Sequence, residues 1–261
     1  VAHYVQAKKS LGQHFLADPN IAYKIANSLS ASEGWQHVLE IGPGTGMLTR
    51  FLVNQKGIKW HGIELDRDSV KYLQETYPEL KEQIIHGDFL KFAPETYFGL
   101  TPFAIIGNFP YNISTQILFH VLKMRDRVPE VVGMFQKEVA RRIAAPPGNK
   151  EYGILSVLMQ AFYDVKLLFD VEPHVFIPPP KVKSSVIRCM RKENVHLDCD
   201  EKLFFTTVKT AFNQRRKTLR NSLKGMQVNW KGLPDHLSGE RPERLDVATF
   251  VRIAKQAGVA L

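Results

Sequence analysis

Long apolar runs are missing from this chain. No stretch approaches the ~20 apolar residues of a membrane-spanning helix, so no span is expected. Cysteine is nearly absent, at two residues, Cys189 and Cys199. Two thiols make no disulfide framework and neither stands in a ligand spacing, so a reduced, cytoplasmic chain with ordinary cysteines is expected. The nine histidines show no paired ligand spacing, and no metal site is expected. The leading segment "VAHYVQAKKSLGQHFL" lacks the apolar centre of a secretory signal. Repeats and low-complexity tracts are absent too, which excludes solenoid and compositionally disordered classes.

What is present is an ordinary globular composition with a basic excess. The 261 residues are 44% hydrophobic and 23% charged, enough for one large domain and a small one. The formal charge is +9 and the pI about 9.5. An excess of that size suits a polyanionic partner, with RNA, DNA and anionic membrane all open, and suits equally a basic enzyme with no such partner.

Along the chain, apolar runs alternate with helical patterns. Asp18 reads as an N-cap and Pro19 as a first helical residue. "HVLEIG", "WHGIEL", "QIIHGD", "PFAIIGNF" and "EVVGMF" read as strands, with helices between them. "DVKLLFDV" and "SSVIRCMR" add a late extended pair joined by a proline-rich loop. The expected fold is α/β: a Rossmann-like, mostly parallel seven-stranded sheet with one antiparallel edge hairpin. From His196 the pattern becomes helical only, with 12 Lys+Arg against 7 Asp+Glu. The expected domains are therefore 1–195 and a small helical 196–261. Within the latter, "EKLFFTTVKTAFNQRRKTLRNSL" reads as one long helix. Arg216, Arg220 and Lys224 would share a face of it as an RNA-binding surface, and a merely solvated basic face is the plainer alternative.

"LEIGPGTGMLT" sets Gly42, Gly44 and Gly46 directly after the first strand. Glycines there let a ligand approach the backbone closely. The third glycine of the dinucleotide fingerprint is replaced by Met47, and no Gly-Lys-Ser/Thr follows, so the loop suits a nucleoside without a pyrophosphate. A tight turn alone explains one glycine and explains three poorly. Glu64 ends the second strand, where it can accept from ribose hydroxyls, and Asp88 ends the third, where it can accept from an adenine amine. Each alone could be a helix cap, a role better suited to Asp66 or Asp68. A phosphate-free nucleoside cofactor points to S-adenosyl-L-methionine.

"GNFPYNIS" then places Asn108 at the end of the fourth strand, beside the same crevice. An exocyclic adenine amine is a poor nucleophile, because its lone pair is delocalised into the ring. Two acceptors for its N–H groups would help: the Asn108 side chain and a carbonyl, of Phe109 or Pro110, in a turn stiffened by Pro110. Tyr111 offers a stacking face, and Phe176, ahead of a proline run, a second one. A turn Asn with core aromatics is the plainer reading of each taken alone.

With "KKSLGQHFL", "QKEVARR", "VFIPPPKVKSSVIR" and "FNQRRKTLRNSL" added in this order, the chain resembles the KsgA-type (RsmA) small-subunit rRNA adenine dimethyltransferases over nearly its whole length. The resemblance implies a class I S-adenosylmethionine-dependent methyltransferase domain with a small helical C-terminal domain. It implies transfer of two methyls to each of two adjacent adenosines near the 3′ end of small-subunit rRNA, within an immature 30S particle, by a cytoplasmic monomer without a membrane partner. It implies cofactor contacts at His14, Leu16, Gly42, Glu64, Asp88 and Asn108. The sequence departs from the family pattern at His14, where asparagine is usual, and at Phe109, where leucine is usual. A macrolide-resistance type large-subunit methyltransferase and a non-catalytic RNA-binding factor on the same fold are the competing readings.

Overall fold

The computed structural model describes residues 5–30, 34–193 and 195–257. Its elements in chain order begin with β1 (Phe15–Leu16), α1 (Pro19–Ala26), β2 (His37–Ile41), α2 (Thr49–Leu52) and β3 (Lys59–Glu64). There follow α3 (Arg67–Thr76), β4 (Ile84–His86), α4 (Glu95–Phe98), β5 (Phe103–Asn108) and α5 (Ser114–Lys123). Next come β6 (Glu130–Gln136), α6 (Lys137–Ala144), α7 (Ile154–Phe162), β7 (Tyr163–Val171), β8 (Phe176–Ile177) and β9 (Ser184–Arg191). The chain continues through α8 (Glu201–Asn213), α9 (Leu219–Ser222) and α10 (Val247–Gln256), with short 3-10 turns between elements.

Seven strands form one sheet in the order β4-β3-β2-β5-β6-β9-β7. The pairs β4–β3, β3–β2, β2–β5 and β5–β6 are parallel, whereas β9 runs antiparallel to β6. The parallel strands are continuous apolar runs because both faces are covered. In β5, Phe103, Ala104, Ile105 and Ile106 are all fully buried, as are Val131, Val132, Met134 and Phe135 in β6. Each large side chain so buried contributes about 1.5–3 kcal/mol of transfer free energy. Asp18 caps α1 by accepting from the Asn20 and Ile21 amides, with Pro19 in the first turn, and Asp66 caps α3 through the Asp68 amide. The chain runs from β2 outward to β4, then returns to β5 on the other side of β2. That reversal opens a crevice at the carboxyl ends of β2 and β5, the place where open α/β sheets bind ligands.

A second, two-residue ladder was not legible in the sequence. β1 pairs antiparallel with β8, Phe15 opposite Ile177 and Leu16 opposite Phe176. Partners across an antiparallel ladder share a face, so Leu16 and Phe176 turn inward together, at 5% and 2% exposure.

The chain divides into two compact units. One runs up to Ala140 and adds Val165–Arg191; the other is Arg141–Asp164 with the chain from Lys192 onward. The expected boundary at 195/196 is thus corrected: residues 141–164 belong with the helical unit. The reason is α7, whose apolar residues pack with α8 and α10. The single long helix expected across residues 201–223 is also corrected. α8 ends at Asn213, and the chain turns at Gln214 before α9. Tertiary bonds explain the break. Arg215 reaches the Lys150 carbonyl and the Glu243 carboxylate, and the Leu219 amide donates to the Glu240 carbonyl at 2.8 Å rather than along a helix. Arg216, Arg220 and Lys224 therefore lie on a turn, on α9 and on a 3-10 turn, not on one helical face, although all three are exposed.

Candidate active site

The crevice lies within the first unit, and four neighbouring strand ends build it. Gly42 and Gly44 follow β2, Glu64 ends β3, Asp88 follows β4, and Asn108 ends β5. The cavity they line measures about 120 Å³. Gly44 has φ +57°, and a Cβ there would sit 2.9 Å from the Phe15 ring, so glycine is required at this position. Its amide donates to Glu64 Oε2 at 3.0 Å, while the Asp66 amide donates to Oε1 at 2.9 Å. Both carboxylate oxygens are thereby aimed, with lone pairs to spare. Burial pushes the Glu64 carboxyl above its ordinary value, and the Asp66 and Gly44 amides pull it back. Asp88 holds the Leu90 amide at 2.9 Å through Oδ1. A Cβ at Gly42 would meet nothing nearer than Pro110 Cδ at 4.0 Å, so the loop leaves room on its crevice side.

At the other wall, Asn108 Nδ2 donates to the His14 carbonyl at 2.8 Å. A carbonyl can only accept, which identifies the amide nitrogen and leaves Oδ1 as an acceptor. In the Phe-Pro-Tyr turn the Pro110 carbonyl accepts from the Ile113 amide at 3.2 Å. Among the described residues the Phe109 carbonyl has no such partner. The Phe109 ring is buried at 1% exposure and meets Phe135 edge-on at 5.1 Å. Gly107 and Gly133, register partners on β5 and β6, make room for it: a Cβ at Gly107 would fall 2.8 Å from that ring.

The segment Leu11–Phe15 forms a further wall of the crevice. Lys8 anchors it by ion pairs to Asp66 and, at 2.7 Å, to Asp68, and Gln13 adds a hydrogen bond to Asp66 at 3.3 Å. No local pattern announces this anchor, which joins residues 58 and 60 positions apart. Of the residues singled out above, His14, Gly42, Gly44, Glu64, Asp88, Asn108, Pro110 and Tyr111 come together here. Two do not. Leu16 and Phe176 belong to the hydrophobic core, because the β1–β8 ladder turns both inward. The second stacking face expected of Phe176 is corrected accordingly, and Phe15, not Leu16, faces the crevice.

A mostly parallel sheet in which β9 runs antiparallel to β6, carrying glycines, Glu and Asp on successive strand ends, defines the class I S-adenosylmethionine-dependent methyltransferase fold. A solved dimethyladenosine transferase from Plasmodium falciparum superimposes with a TM-score of 0.74 at 27% identity, over 92% of this chain and 96% of that one. The solved 23S rRNA methyltransferase ErmE shares the fold, with a TM-score of 0.72 at 24% identity over 93% and 98%. The profile of the ribosomal RNA adenine dimethylases matches residues 4–255. A protein named ribosomal RNA small subunit methyltransferase A from Flavobacterium johnsoniae is 56% identical over 252 residues, 97% of this chain and 96% of its own length. One of the same name from Bacteroides thetaiotaomicron is 52% identical over 260 residues, 98% and 96%. The chain belongs to the ribosomal RNA adenine dimethylase family.

Proposed function

We infer that the protein transfers methyl groups from S-adenosylmethionine to the exocyclic amines of two adjacent adenosines near the 3′ end of small-subunit rRNA, giving dimethyladenosines during subunit biogenesis. The observation that carries this is the orientation of Asn108, whose amide nitrogen is engaged by the His14 carbonyl so that Oδ1 remains to accept. The crevice residues fit the cofactor. Glu64 presents two oriented oxygens to ribose hydroxyls, Asp88 one to an adenine amine, and Gly42 leaves its side open. When bound, S-adenosylmethionine supplies an electrophilic sulfonium methyl.

The protein's part is positioning and electrostatics. Asn108 Oδ1 and the Phe109 carbonyl accept the two N–H groups of the target amine. This draws its nitrogen toward a tetrahedral shape and exposes its lone pair. Between the two turn carbonyls, Phe109's is favoured because Pro110's already serves Ile113. Tyr111 provides the stacking face for the extruded base. The RNA is held as an immature 30S particle by a monomer working in the cytoplasm, with the exposed cations Arg216, Arg220 and Lys224 on its docking surface.

Transfer of a tritiated methyl group to immature small subunits, set beside naked rRNA, tests this reading. The parent should label the particle, and mapping should find the label on two adjacent adenosines. Asn108→Ala should lower turnover by roughly a hundredfold or more, the scale for one preorganised polar group, while particle binding survives. Label appearing instead in large-subunit rRNA, or undiminished turnover in Asn108→Ala, would refute it.

A further inference from the structure

Tyr111 is held at more points than its place after a proline requires. Its hydroxyl lies 2.5 Å from Ser184 Oγ, 73 residues away at the start of β9. Ser184 is completely buried and sits opposite Gln136 of β6, so its position is fixed by the sheet itself. Burial pushes the Tyr111 phenol above its ordinary value, and the Ser184 bond pulls it back only in part, so the ring stays neutral. The imidazole of His14 lies along the same ring, with centroids 5.4 Å apart and planes tilted by 29°. That imidazole is fixed in turn, since His14 Nδ1 lies 2.7 Å from the Pro178 carbonyl. The carbonyl can only accept, so Nδ1 carries the proton.

Three separate segments thus converge on one aromatic ring: the arm, the turn after β5, and the stretch from Pro178 to Ser184. None of this is needed to bury the ring, which an ordinary apolar contact would do. What a hydroxyl anchor and a stacked neighbour add is a defined ring plane before any ligand arrives. For a stacking platform, a plane set in advance spares the ordering cost at the moment of binding.

We propose that Ser184 and His14 are positioning residues for methyl transfer: Ser184 fixes the Tyr111 ring by its hydroxyl and His14 supports one of its faces, leaving the other for the target adenine. This rests on the reading of the crevice given above. His14 then has a side-chain role of its own, distinct from its carbonyl's bond to Asn108. Loss of either side chain should lower kcat for an RNA substrate; loss of the Ser184 hydroxyl should also leave the affinity for S-adenosylmethionine unchanged, because Ser184 is not among the residues that line the crevice, whereas His14 is.

A double-mutant cycle with Ser184→Ala and Tyr111→Phe decides the anchor. Each single change removes the same hydrogen bond from one end. Each should lower kcat by about tenfold, short of the roughly hundredfold that a 1 Å misplacement can cost, with cofactor affinity by calorimetry and the melting midpoint near the parent's. The double variant should be no slower than the slower single. Multiplying losses, a parental kcat in Ser184→Ala, or a kcat loss matched by an equal loss of cofactor affinity would each overturn the anchor. His14→Phe, which keeps a ring, should retain more rate than His14→Ala; equal rates would remove His14 from the proposal. Tyr111→Ala separates this failure from that of the underlying reading. If it methylates like the parent, the stacking site itself is wrong. If it collapses while Ser184→Ala does not, only the positioning role falls.

Discussion

Glu40 shows how a single buried group ties the site to solution conditions. It lies in β2, just ahead of the glycine loop, at 1% exposure. Its Oε2 accepts from Thr49 Oγ1 at 2.7 Å and from Trp60 Nε1 at 2.8 Å. Burial pushes its carboxyl from 4.5 up to about 7, against the pull of those two bonds and with a further push from Glu64. The native carboxyl therefore keeps its proton up to about pH 7, whereas the unfolded one loses it near 4.5. Between those values the folded state binds more protons, so this group's stabilisation is full below 4.5 and declines as pH rises to about 7. Glu40→Gln cannot titrate. Urea unfolding at a series of pH values should give the variant a flatter profile in that window, and a parent-minus-variant difference constant with pH would refute the assignment. Glu64, Asp88 and Asn108 were legible because each closes an apolar run, which fixes its place on the carboxyl edge. Ser184 and the His14 ring were not, because their bonds span 73 and 164 residues and follow no local period. The inward turn of Phe176 was illegible for a related reason: a two-residue strand shows no alternation.

Among the elements, the strands and helices of the sheet followed their apolar patterns. The break after α8 did not, because Phe204, Val208, Phe212, Leu219 and Leu223 keep helical spacing across it. All but Phe212 are buried at 0–1% exposure, so the pattern continues while the backbone does not. The consequence is that the exposed basic residues are spread over successive short elements: Arg216 and Lys217 on the turn, Arg220 on α9, Lys224 beyond it. Reversing the charge of Arg216, Arg220 and Lys224 together should weaken binding to small subunits, flatten its salt dependence, and leave cofactor affinity intact, since surface cations act through released counterions. An unchanged salt slope would place the docking surface elsewhere.

For the whole molecule, the sequence marked a change of composition at His196 but not the helical unit's second piece. α7 looks like any crossover helix between strands, and only its packing with α8 and α10 assigns it. A separable 196–261 module would let residues 1–195 fold alone. The observed division leads to the opposite expectation. A chain ending at Arg191 should keep its sheet strands but leave α7 without the two helices it packs with, and Phe162 without the Phe205 ring. It should aggregate or bind hydrophobic dye at temperatures where the full chain is stable. A soluble, cooperatively melting 1–191 fragment without dye binding would refute it.

The same interleaving sets an order of events during synthesis. β9 completes the sheet at Arg191, before any residue of α8 exists. α7, ending at Phe162, must wait roughly 40 residues for Glu201 to begin its first partner. At translation speeds of roughly 5–20 residues per second, that is a delay of about 2–8 s. Through that interval α7 lacks the helices it packs with, and a holding chaperone would find an apolar binding segment there.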